Sequence, residues 1–143
     1  MDYNTLALEL IKKMQALRKF KPHKHINESL QGETFVLHFI AHHGDDVLPS
    51  EIGHKMDVSS ARIAATLNRL EEKGLITRQI DTADRRKILV KLTEEGRELA
   101  ERHEQIMLTE TIKMLTALGE YDAKEYVRIT GKLTEIIQLE ADK

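Results

Sequence analysis

The heptad Asp81-Thr82-Ala83-Asp84-Arg85-Arg86-Lys87 constrains this chain more than any other feature. It is polar and strongly charged, and it lies between two short β-rich runs, Leu75 to Ile80 and Ile88 to Leu92. Two such runs around a polar tip read as a β-hairpin. Almost everything else points to helix. With two prolines and seven glycines in 143 residues, the stretches on either side are barely interrupted. Their apolar residues recur at helical spacing. The expected fold class is therefore mainly α with a small β-hairpin.

The first helix is expected from about Asn4 to Phe20, with Leu6, Leu10, Met14 and Leu17 as its apolar stripe. Lys21-Pro22-His23-Lys24-His25 ends it, since the residue before proline disfavours helix. A second helix is expected over Leu30 to His42, stopped by Gly44-Asp45-Asp46. Ser50, with Pro49 ahead of it, should cap a short helix from Glu51 to Met56. After Asp57-Val58-Ser59-Ser60 comes a helix from Ala61 to Lys73, closed by Gly74. Ile63, Leu67 and Leu70 should face inward there, leaving Ser60, Arg62, Thr66 and Arg69 on an outward polar face. Beyond the hairpin, Thr93 should cap a long helix to about Leu118. Gly119 ends it, and Asp122 with Glu125 should open a last helix to about Ala141, striped by Tyr126, Ile129, Leu133, Ile136 and Ile137.

The formal net charge of −2 hides a segregation. Residues 55–91 carry +4, between segments of −1 (residues 1–54) and −5 (residues 92–143). A basic block between acidic flanks suggests a local footprint for nucleic acid. The chain contains no cysteine, which excludes disulfides, thiolate metal sites, cysteine nucleophiles and thiol redox sensing. Its longest apolar runs, Phe35-Val36-Leu37 and Phe39-Ile40-Ala41, are far too short to span a bilayer. No charged-then-apolar leader opens the sequence, so a cytoplasmic location and no membrane partner are expected. Neither a glycine-rich phosphate loop nor a nucleophile elbow is present. No enzyme activity is expected; a histidine-metal hydrolase is the one class left open.

Two short helices joined by a tight turn form a helix-turn-helix, and the charged hairpin behind them adds a wing. The chemistry is coherent. A helix fits the major groove, where arginine reads guanine bidentately and hydroxyls read several base edges. A basic hairpin tip can reach the adjacent minor groove. Ser59, Ser60 and the helix N-terminus offer N–H groups and a positive dipole end to a phosphate.

At this point the chain resembles the MarR (multiple antibiotic resistance regulator) family of bacterial transcription regulators. The resemblance rests on Asp81, Asp84, Arg85, Arg86, Leu92, Thr93 and Gly96, a D-x-x-D-R-R…L-T-x-x-G wing. Leu70-Glu71-Glu72-Lys73-Gly74-Leu75-Ile76-Thr77-Arg78 adds the end of a recognition helix and the first wing strand. It implies a single domain over 1–143, with the winged helix-turn-helix in about 30–93 and dimerisation helices in about 1–28 and 94–143. It assigns Arg62, Thr66 and Arg69 to the recognition-helix face and Arg85, Arg86 and Lys87 to the wing, with Asp84 pairing Arg86 to shape the tip. It also implies a homodimer on double-stranded DNA with a palindromic operator, acting as a ligand-responsive repressor, with no resident cofactor and an unidentified small-molecule effector.

The seven histidines leave one alternative open. His38 and His42 stand at i, i+4, a spacing that can place two imidazoles on one metal, and His103 lies on the stripe of the long helix. A zinc-responsive regulator built on these three is the runner-up; the plainer reading is surface or hydrogen-bonded histidines and no metal. A non-specific architectural DNA-binding protein is the third reading.

Overall fold

The computed structural model describes residues 1–18, 28–44 and 46–143. The expected polar stop with His23 and His25, and Asp45, lie outside them. The elements are α1 (Tyr3–Leu17), α2 (Glu28–His43), α3 (Pro49–Met56), α4 (Ser60–Glu72), β1 (Ile76–Ile80), β2 (Ile88–Leu92), α5 (Glu94–Leu118) and α6 (Glu120–Ala141). The order is the one the sequence led us to expect. Two compact units divide the chain, Met1–Gln105 and Ile106–Lys143.

In the first unit the core is built from Val36, Leu37 and Ile40 of α2, Ile52 of α3, and Ile63, Leu67 and Leu70 of α4. Ile76 of β1, Val90 of β2, Val47 and Ala100 of α5 complete it. The hairpin is antiparallel, with Ile76 opposite Leu92 and Ile80 opposite Ile88. Val47 adds a short bridge to β2: it exchanges backbone hydrogen bonds with Val90 at 3.3 and 2.8 Å. That bridge was not expected from sequence, because one isolated pair has no periodicity to read. In contrast to this core, α1 buries no residue, and Leu6, Leu10, Met14 and Leu17 are each about half exposed.

Two helix starts differ from expectation. The N-cap of α3 is Leu48, not Ser50, because Pro49 occupies the first turn. Proline has no N–H to satisfy there and its φ is already helical. The Glu51 carboxylate accepts from the Leu48 backbone N–H at 3.3 Å. Likewise α6 starts at Glu120 with Gly119 as N-cap, one turn ahead of the Asp122–Glu125 pattern. The φ of +85° at Gly119 turns the chain sharply enough for the new helix to begin at once. In this second unit α6 buries no residue either. Tyr126, Ile129, Leu133, Ile136 and Ile137 all remain exposed.

Candidate nucleic-acid interface

The recognition-type helix α4 is fixed at both ends by its own sequence. Ser59 caps the start, its hydroxyl accepting from the Arg62 backbone N–H at 3.2 Å. At the other end Gly74, with φ +73°, takes the left-handed position. Its N–H donates to the Glu71 carbonyl, and the Leu75 N–H donates to the Leu70 carbonyl, each at 3.0 Å. That pair of bonds is a Schellman closure, and it turns the chain directly into β1. The turn between α3 and α4 uses Asp57 in the left-handed region, at φ 54°; aspartate tolerates this better than most residues.

On α4 the polar side chains divide into two groups. Arg62 is exposed and, among the described residues, its guanidinium has no partner. Ser60 is exposed at the first turn. Thr66 and Arg69 behave otherwise. Thr66 was expected on the outward face, but it is buried, being 6% exposed. It stands three residues after Ile63 and four before Leu70, which places it inside the apolar stripe. Its hydroxyl donates to the Arg62 carbonyl at 3.0 Å and accepts from Arg69 Nη2 at 3.2 Å. Arg69 in turn donates from Nε to Glu33 Oε1 at 3.1 Å. Lys73 Nζ reaches the other oxygen of the same carboxylate at 2.7 Å. Glu33 is buried, so this carboxylate ties α2 to the last two turns of α4.

Sequence reasoning missed Glu33, although a signal was present. Glu33 precedes Val36, Leu37 and Ile40 by three, four and seven residues, so it lies on the apolar stripe of α2. An acid in that position must find cations.

A second brace joins α4 to the hairpin. Arg78 of β1 donates to both oxygens of Glu71, at 3.0 and 3.2 Å, and to Asn68 Oδ1 at 2.7 Å. The paired guanidinium holds the Glu71 carboxyl below its ordinary range, and Glu71 raises Arg78. No spacing in the sequence announces this contact, because Arg78 and Glu71 meet only through the Schellman turn.

At the hairpin tip, Asp84 Oδ1 accepts from the Arg86 backbone N–H at 3.1 Å and from Arg86 Nε at 3.2 Å. These bonds from Arg86 hold the Asp84 carboxyl below its ordinary value. Asp81 closes the loop from the other side, its backbone N–H donating to the Lys87 carbonyl at 2.9 Å and its carboxylate accepting from the Ala83 N–H at 2.9 Å. The tip is thus held by two aspartates while Arg85, Arg86 and Lys87 all project into solvent. Even paired, the Arg86 side chain is 92% exposed.

Behind the hairpin, α5 approaches the α4–β1 junction very closely. A Cβ placed on Gly96 would lie 2.0 Å from the Leu75 carbonyl oxygen, so only glycine fits. Thr93 locks the same junction: its N–H donates to the Leu75 carbonyl at 3.0 Å and its hydroxyl to the Gly74 carbonyl at 2.7 Å. The hydroxyl also accepts from the Gly96 N–H at 3.0 Å, as a cap of α5 should.

The expected histidine trio is rearranged. His38 and His42 lie together on α2, but Glu104, not His103, completes the group. Leu99 and His103 are one turn apart, so His103 turns inward with Leu99 while Glu104 points about 100° further round the helix. His103 lines a cavity of about 210 Å³ with Glu33, Thr34, Leu37, Lys73, Leu75 and Leu99.

A helix-turn-helix whose second helix runs through a tight turn into a charged two-stranded hairpin defines a winged helix-turn-helix protein. Known proteins agree. The family model described as MarR family matches residues 30–87. The YusO protein from Bacillus subtilis shares the fold at a TM-score of 0.72 and 29% identity, covering 94% of this chain and 99% of that one. Streptococcus pneumoniae FabT, solved in complex with DNA, has a TM-score of 0.72 at 24% identity, with 99% of both chains covered. An uncharacterized HTH-type transcriptional regulator, YdgJ of Bacillus subtilis (strain 168), is 36% identical over 62 residues. That match takes in 43% of this chain and 38% of the length of YdgJ. The matched stretch takes in the recognition-type helix and most of the wing, so it is this segment that is similar to the MarR family. No helix among the described residues is long and apolar enough to cross a membrane.

Proposed function

We propose that this chain is a homodimeric transcription regulator that binds double-stranded DNA at a specific operator and has no catalytic activity. One observation carries the reading: Arg62, Arg85, Arg86 and Lys87 are presented to solvent, while Thr66, Arg69 and Arg78 of the same helix-hairpin unit are engaged internally. Arg62 and Ser60 would enter the major groove, with the α4 N-terminus and Ser59 against a phosphate. The wing arginines and Lys87 would take the neighbouring minor groove. Thr66 and Arg69 would serve chiefly to hold the helix, through each other and Glu33. The DNA complex of the similarly folded FabT supports this use of the fold.

Dimerisation through residues 1–28 and 94–143 is supported by the apolar stripes that α1 and α6 leave uncovered. Exposed apolar surface of that extent marks an association face. A two-fold dimer presents two recognition helices about one DNA turn apart and therefore calls for a palindromic operator. Such a regulator works in the cytoplasm, as a repressor that a small, partly apolar effector releases. Footprinting on the DNA flanking its own coding region tests the reading. A bounded palindrome is expected; uniform coverage of any duplex would refute it and favour an architectural role.

A further inference from the structure

We propose that His38, His42 and Glu104 form a binding site for one zinc-class divalent cation, clamping α2 to α5. The two imidazoles stand one helical turn apart on α2, with ring centroids 4.4 Å apart and the rings tilted by 51°. Glu104 of α5 brings Oε2 to 3.4 Å from His42 Nε2. One potential ligand atom from each of the three residues lies within 4.8 Å of the other two.

Distances and donor chemistry agree. Tetrahedral zinc, with bonds of about 2.0–2.2 Å to nitrogen and oxygen, sets its ligand atoms roughly 3.3–3.5 Å apart. His42 and Glu104 already stand at that separation. All three residues are exposed, so the remaining closure needs only side-chain rotation. Two imidazole nitrogens and one carboxylate oxygen suit zinc and its neighbours in the first transition row. They do not suit magnesium or calcium, which require shells of oxygen. Three protein ligands from an exposed position leave the fourth place to water. A surface ion pair between His42 and Glu104 would explain only part of the arrangement. It does not involve His38, whose ring stands 4.4 Å from that of His42.

The location gives the cation leverage. His38 is five residues beyond Glu33, the carboxylate that holds Arg69 and Lys73 of α4. Glu104 is on α5, eight residues beyond the Gly96 contact with Leu75. A cation here therefore fastens the two helices that grip α4 from α2 and from the α4–β1 junction. Binding favours the folded frame by mass action and raises its melting temperature.

The test uses the full chain stripped of metal, titrated with zinc chloride against a chromophoric chelator at neutral pH. One equivalent per chain should bind, and His42→Ala or Glu104→Gln should weaken binding at least about tenfold. The double variant His38→Ala/His42→Ala should lose the site while keeping the wild-type circular dichroism, because both side chains are exposed. Zinc should raise the melting temperature of the wild type and of His54→Ala, whose substitution lies on α3, but not that of the double variant. A wild-type affinity no better than that of the double variant, or a zinc-induced thermal shift that persists in it, would overturn the proposal. DNA binding plays no part in either measurement, so these outcomes are independent of the regulator reading.

Discussion

Replacing Glu33 by glutamine removes one charge and almost no volume from the junction between α2 and α4. The native carboxylate is 7% exposed and accepts from Arg69 Nε at 3.1 Å and Lys73 Nζ at 2.7 Å. A hydrogen bond to a charged group contributes about 1.5–3 kcal/mol. Arg69 and Lys73 are 48% and 47% exposed, so water recovers part of the loss when either is released. Glutamine keeps one carbonyl oxygen for one cation and turns an NH2 donor toward the other. The expected cost is thus roughly one such bond, about 2 kcal/mol. With a urea slope of about 1–3 kcal/mol per molar, the midpoint should fall by about 1 M with the slope unchanged. Protein concentration must be matched, because the proposed dimerisation would couple to unfolding. Glu72→Gln, on the exposed side of the same helix turn, serves as the control and should not move the midpoint. If Glu33→Gln unfolds at the same urea concentration as the wild type, the carboxylate does not hold α4 and the division of its arginines into bracing and free groups fails.

Arg62→Ala and Arg85→Ala should each weaken operator binding by about 1–3 kcal/mol at fixed salt, read by fluorescence anisotropy, with the melting temperature unchanged; an unaltered Kd would remove that side chain from the interface. Gly96→Ala should destabilise the chain by about 1–3 kcal/mol in the same urea assay, because its methyl group meets the Leu75 carbonyl at 2.0 Å; a variant as stable as the wild type would refute the close approach. The Asp84 carboxyl is held below its ordinary value of 3.8 chiefly by the Arg86 side chain. Its contribution to wing stability is therefore fully present above that value and lost as pH falls through the depressed folded value; carboxyl NMR titration should show the low midpoint, and Arg86→Ala should return it toward normal. Leu10→Glu or Ile129→Glu should yield monomer or unfolded chain on light scattering, since each charge falls on an apolar stripe that needs a partner; a stable dimer would refute dimerisation through that stripe.

Legibility in the sequence followed the range of the physics involved. Where one local rule decides, the expectation matched: Gly74 closes α4 and Thr93 caps α5. Where two local rules compete, it slipped. Ser50 and Asp122 are good caps in isolation, but Pro49 and Gly119 start their helices earlier. The Val47–Val90 bridge lay beyond reading, because two residues far apart in sequence meet only after the hairpin has packed on α2.

The interface shows the same division with a sharper consequence. A basic face read from composition treats every arginine alike, yet the fold gives four of them different work. Arg69 neutralises a buried acid, Arg78 ties the hairpin to α4, and Arg86 shapes the tip while staying exposed. Of these four, only Arg62 has no partner among the described residues. Bracing charges and contacting charges are not equivalent, because a braced guanidinium has fewer of its five N–H donors left, and less freedom to turn them, toward a phosphate or a base. Under the proposed function, specificity from α4 would come largely from Arg62 and the small groups at its first turn. The wing, with Arg85 and Lys87 beside the paired Arg86, would then supply attraction that depends more on salt than on sequence. The salt slope should accordingly fall more for Arg85→Ala than for Arg62→Ala, while discrimination between operator and random DNA should fall more for Arg62→Ala. The opposite ordering would mean that the hairpin, and not the helix, reads the bases.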